Sequence, residues 1–187
     1  MNINDCSSRS DNWSNSANNA ATAKAKVAFT LAMSRALHFV QDMACIVHLK
    51  GLYDENIYLK STYTNNQAHK IYEMQDGNGN SMVSSLYGLK CNGSNDCSYN
   101  AIQSKIPTLR KDEYLKTIAT AKFWLNETMR KKIISIKEDN IGTVLENYKK
   151  GSYNTVKNIL IDDLAYAAVL MEKWLKYGPL KSHFTVP

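Results

Sequence analysis

The spacing of apolar positions divides this chain into helical segments with one short interruption of period two. From about Ala20 to Cys45 there is no Gly or Pro, and Val27, Leu31, Ser34/Arg35 and Ala36/Leu37 alternate apolar and polar at helical spacing. That pattern predicts one long helix. Gly51 ends the segment, and Asn56-Ile57-Tyr58-Leu59-Lys60-Ser61-Thr62-Tyr63 then alternates with period two, the pattern of a short strand or hairpin. A short helix is expected around His69 and Glu73, followed by a break at Asp76-Gly77-Asn78-Gly79-Asn80 and another short helix over residues 81–90. Two longer helices follow. Residues 112–137 place Leu115, Ile118, Ala119 and Leu125 on one side, and Tyr153 to Tyr177 carries Val156, Ile159/Leu160, Leu164, Ala167/Ala168, Met171 and Trp174/Leu175. Residues 1–19, rich in Asn, Ser and Asp, read as a flexible N-terminal arm, residues 20–178 as one helical domain, and residues 179–187 as a tail. The expected fold class is all-α, a multi-helix bundle with a small β-hairpin.

Composition narrows the class. At 187 residues the chain is long enough for one domain with a real core, and 44% hydrophobic with 21% charged residues is the balance of a soluble globular protein. The net charge of +6 suits a polyanionic partner, nucleic acid or an anionic lipid surface. No run of eighteen apolar residues exists, so no transmembrane segment is expected. The start, Met1-Asn2-Ile3-Asn4-Asp5-Cys6, lacks the apolar stretch of a signal peptide. Against that stand three glycosylation sequons, at Asn12, Asn92 and Asn126, and four cysteines that permit up to two disulfides. Spacing alone allows Cys91–Cys97; Cys45 reads as a buried thiol.

The chemistry-bearing residues gather in two pairs. His38 and Asp42 are four apart, so on a helix they share a face and can hold one metal ion. His48 lies ten residues past His38, roughly 280° further round an unbroken helix, and so points elsewhere. With the second four-apart pair, His69 and Glu73, it makes a three-ligand set of the kind that leaves zinc an open position for water. Between the pairs, Tyr58 and Tyr63 interleave with Lys60, an arrangement able to stack a base and grip phosphate. His183, in the Pro-flanked tail, reads as a surface histidine in no motif.

The order His-x3-Asp-x5-His, followed about twenty residues later by His-x3-Glu, resembles the zinc-dependent class I single-strand nucleases (S-one/P-one type), whose superfamily includes bacterial zinc phospholipase C. The family core reads His-Phe-Val-Gly-Asp-Ile-His-Gln-Pro-Leu-His. Here it is His38-Phe39-Val40-Gln41-Asp42-Met43-Ala44-Cys45-Ile46-Val47-His48, with Gln41 replacing a Gly and Ile46 replacing the Pro. The closing stretch Ala165-Tyr166-Ala167-Ala168-Val169-Leu170-Met171-Glu172-Lys173-Trp174-Leu175 resembles the last family helix. The resemblance covers roughly the C-terminal two-thirds of a family member.

What this resemblance implies is a cluster of three zinc ions. His38 would bind one of a close pair, Asp42 would bridge that pair, and His48, His69 and Glu73 would hold the third. The family's upstream Trp, His, Asp and His ligands have no counterpart in the 37 residues before His38, none of which is His. Asp5, Asp11 and Trp13 are the remaining upstream candidates. The family also implies a Cys6–Cys97 disulfide and a secreted or vacuolar protein; Met1 as an internal start would account for the missing signal and the missing ligands together. The implied activity is endonucleolytic hydrolysis of single-stranded DNA or RNA, with Asp42 central to the chemistry. The alternatives are phospholipase C-like hydrolysis, or a non-catalytic remnant that binds metal or nucleic acid.

Overall fold

A computed structural model describes residues 3–45, 99–138, 147 and 153–185. Among these the fold is all-helical: α1 (Ile3–Thr22), α2 (Lys26–Asp42), α3 (Tyr99–Leu109), α4 (Glu113–Thr120), α5 (Glu127–Glu138), α6 (Tyr153–Tyr177) and a closing 3-10 turn, Lys181–His183. The expected hairpin over 56–63 and the short helices around His69 and over 81–90 lie outside the described residues. No helix among the described residues is long and apolar enough to cross a membrane.

The expected flexible arm is instead the first long helix. Its buried face is Cys6, Ser7, Ser10, Ser14 and Ala17, spaced three and four apart, so the stripe is helical but made of small and mostly polar side chains. Serine can be buried in a helix when its hydroxyl turns back on the preceding turn, as Ser14 does by donating to the Ser10 carbonyl at 2.7 Å. A search for apolar periodicity does not register such a stripe.

The single helix expected from Ala20 to Cys45 is interrupted. Lys24 takes a left-handed conformation, φ 56°, and ends α1. The Ala25 amide donates to the Ala20 carbonyl at 2.8 Å and the Lys24 amide to the Ala21 carbonyl at 3.0 Å, a paired closure of a helix C-terminus that usually falls to glycine. The three-residue turn sends α2 back along α1. There α2 buries Ala32, Ala36 and Val40, one residue per turn, against the small face of its neighbour. Small side chains on both faces let two helix axes approach closely.

The helix expected over 112–137 is likewise two helices. Asp112 caps α4, accepting from the Tyr114 and Leu115 amides, and Asn126 accepts from the Met129 amide at 2.9 Å to start α5. The Tyr114 hydroxyl donates to the Met129 carbonyl, which ties the two helices together across the turn between them. The freed Ala121 carbonyl is met by the Lys173 ammonium at 2.6 Å. α6 runs from Tyr153 to Tyr177, as its pattern predicts, and packs on α2, α3 and α4. Trp174, Met43, Leu115, Ile118 and Ile133 are fully buried, each such burial contributing about 1.5–3 kcal/mol. After α6 the chain turns sharply at Gly178, where an added Cβ would come within 2.2 Å of the Trp174 carbonyl oxygen.

Candidate metal-binding face of α2

The last turns of α2 carry His38 and Asp42, the first two of the expected metal ligands. Because they are four apart on a regular helix, His38 Nε2 and Asp42 Oδ2 come to 3.5 Å. The two side chains differ sharply in setting: His38 is 65% exposed and Asp42 only 8%. The His38 ring packs edge-on against Phe39, with centroids 5.3 Å apart, and the Arg9 guanidinium of α1 lies over that Phe39 ring at 5.7 Å. Further up the same two helices, Arg35 stacks on Trp13 at 4.4 Å.

Asp42 faces the core beside Cys6. Burial pushes the Cys6 thiol from 9.0 up to about 12, and the nearby Asp42 carboxylate reinforces the shift by opposing a second negative charge. The Gln41 side-chain amide Nε2 reaches the Met171 sulfur at 3.3 Å and links α2 to α6. Cys45, just past the helix end, is half-buried.

Two donors held by one ion at zinc–ligand distances of about 2.0–2.1 Å, with a tetrahedral angle between them, stand roughly 3.3 Å apart. The His38–Asp42 separation of 3.5 Å is compatible with that, and equally with an ion pair when the imidazole is protonated. Among the described residues no group of three His, Cys, Asp or Glu side chains comes together in a metal-binding arrangement. The other expected ligands, His48, His69 and Glu73, and the expected substrate-binding Tyr58, Lys60 and Tyr63, lie outside the described residues.

Of the upstream candidates, two have other engagements. Asp11 is partly buried, which raises its carboxyl above the usual range, while the neighbouring Arg130 acts against the rise. Trp13 is covered by Arg35. Cys6 is wholly buried in α1 and, among the described residues, neither it nor Cys45 forms a disulfide; Cys97, its expected partner, is outside them.

Three features were not legible in the sequence. The stacked pairs Arg35–Trp13 and Arg9–Phe39 join residues of two helices and carry no local signal. The buried Lys173 is spaced like any surface lysine of α6, yet it caps α4. His183, read as an idle surface histidine, is exposed but bonded to Asn18 of α1 at 2.8 Å. No family model, curated protein or solved structure matches the chain.

Proposed function

We propose that the protein is a zinc-dependent phosphodiester hydrolase acting on single-stranded nucleic acid, built on the phospholipase C/nuclease type of helical bundle. The observation that carries this reading is the His38–Asp42 pair: the first two donors of the motif stand side by side on α2, with the imidazole open to solvent. In this reading His38 and Asp42 hold the close pair of ions, while His48, His69 and Glu73 hold the separate one. Zinc bound there supplies Lewis acidity towards a phosphoryl oxygen and activates water at neutral pH. The chain's own contribution is orientation. Asp42 is largely buried on the core side of α2, and the Phe39 ring lies edge-on beside His38. The net charge of +6 favours approach of a polyanion. A secreted or secretory-pathway location, with the Cys6–Cys97 disulfide, belongs to the same proposal.

Metal content and cleavage test it together. The purified chain, loaded with zinc and dialysed, should retain about one zinc, held by the three-residue set that leaves a position open. Assayed with zinc in the buffer, the protein should cut single-stranded DNA or RNA. Asp42→Asn should abolish cutting with the helical content retained, because a neutral amide bridges two dications far less well than a carboxylate. Zinc-loaded protein that leaves both nucleic acids intact overturns the nuclease reading, and turnover of phosphatidylcholine in its place assigns the phospholipase alternative.

A second reading, a non-catalytic helical binding module, is favoured by one observation. Asp42 is 8% exposed beside the buried Cys6, a setting that suits a structural carboxylate. Retention of fold without zinc uptake, together with salt-dependent binding of nucleic acid, is the result that selects it.

A further inference from the structure

The α1–α2 turn and the closing 3-10 turn meet around a cavity of about 390 Å³, at the opposite end of α2 from His38 and Asp42. Twelve residues of helix separate Lys26 from His38, about 18 Å along the axis. The volume lies at the lower end of the range of small-ligand sites, roughly 300–1,000 Å³. Lys24, Lys26, Thr30, Phe29 and His183 line it together with alanines of α1 and of the turn.

Its charge is one-sided. Among the described residues, no acidic side chain lines the cavity. The sequence has no Asp or Glu from residue 12 to 41 or from 173 to 187, and the fold brings these two acid-free stretches to one place. Among the described residues, no carboxylate lines the cavity to offset the positive potential of the lysines. His183 is fixed at the rim: its Nε2 donates to Asn18 Oδ1 at 2.8 Å, and its ring meets Phe29 with centroids 5.2 Å apart at 64°. With Nε2 engaged, Nδ1 is the ring nitrogen left to meet a ligand. Phe29 is half-buried and adds an apolar aromatic surface beside the cations.

We propose that this cavity binds a nucleotide unit, its phosphate on Lys24 and Lys26 and its base against Phe29 and His183. Ammonium groups serve as point charges for phosphate, and aromatic faces accept any base. A free nucleoside monophosphate and the terminal nucleotide of a single strand offer the same chemistry. The site stands apart from the metal-binding reading and does not depend on it.

The test is a titration of the whole chain in EDTA, followed by its amide resonances. Adenosine monophosphate should shift the amides of Lys24 to Thr30 and Ser182 to Phe184 saturably, with inorganic phosphate weaker and adenosine weaker still. Replacing both cations, Lys24→Gly with Lys26→Ala, should weaken the nucleotide about tenfold or more, the loss expected for charge-assisted hydrogen bonds. Both lysines are exposed, and a thermal melt verifies that the variant is folded. Asp42→Asn should bind the nucleotide as the unaltered chain does, which keeps this result separate from failure of the nuclease reading. Tighter binding of a terminally phosphorylated oligothymidylate than of thymidine monophosphate assigns a strand end; equal or weaker binding assigns the free nucleotide. No saturable shift at these amides, equal affinity for adenosine and its monophosphate, or shifts confined to the turn around His38 overturns the proposal.

Discussion

His38 Nε2 and Asp42 Oδ2 lie 3.5 Å apart on one face of α2, yet one side chain belongs to solvent and the other to the core. That division predicts a split in stability. His38→Ala should change the unfolding free energy by no more than about 0.5 kcal/mol, as surface substitutions do. Asp42→Ala should cost about 1–3 kcal/mol, the range for removing a buried polar group from its surroundings. Urea unfolding of the two variants measures the difference, and equal losses would contradict the geometry.

The serine face of α1 contains one weak point. Ser10 Oγ is buried and has no hydrogen-bond partner among the described residues. Ser10→Ala removes that unsatisfied hydroxyl, keeps the backbone carbonyl that Ser14 uses, and substitutes a better helix former. A gain of about 1 kcal/mol is expected, seen as a rise in Tm of about 2–4 °C for a chain of this size. An unchanged or lower Tm would mean that the hydroxyl has found a partner.

Lys24 holds a conformation that costs most residues energy. With φ at 56°, its Cβ crowds the following carbonyl, and glycine has no such penalty. Lys24→Gly should therefore stabilise the α1–α2 hairpin by about 0.5–1 kcal/mol, after the greater entropy of glycine in the unfolded chain is subtracted. Calorimetry decides, and destabilisation would show that the lysine side chain contributes more than the strain removes.

Cys6 makes stability depend on alkaline pH. Its thiol is raised from 9.0 to about 12, by burial first and the Asp42 carboxylate second. A raised pKa on an acid means that the folded state favours the protonated form. Its contribution is thus full below pH 9.0 and is lost as pH rises through about 12. At pH 9.0, where an ordinary thiol is half ionised, iodoacetamide should leave the Cys6 peptide unlabelled in the native protein. Denaturation without reductant should expose it to labelling. Labelling in the native state would refute the burial, whereas labelling only after reduction would identify a disulfide.

How the sequence relates to this structure differs from element to element. Tyr153 to Tyr177 was legible end to end, because a long amphipathic pattern with a Lys-Tyr-Gly stop needs no tertiary information. The His38–Asp42 face was legible for the same local reason: four residues of helix bring two side chains together wherever that helix packs. α1 was not legible. Its stability rests on a serine and alanine face meeting the alanine face of α2, so its helical period carries no hydrophobicity and appears only once the partner is present. The breaks at Lys24 and between Thr120 and Glu127 were hidden too, since capping bonds from Lys173, Asn126 and the returning backbone decide them, two of these from inside the turn and one from a helix fifty residues away. The sequence by itself determined the helical class of the described residues and the first pair of candidate ligands, both consequences of short-range spacing. Only the tertiary structure decided where helices stop, which polar residues are buried, and which distant cations share a cavity, because each depends on contacts between segments that no local pattern encodes.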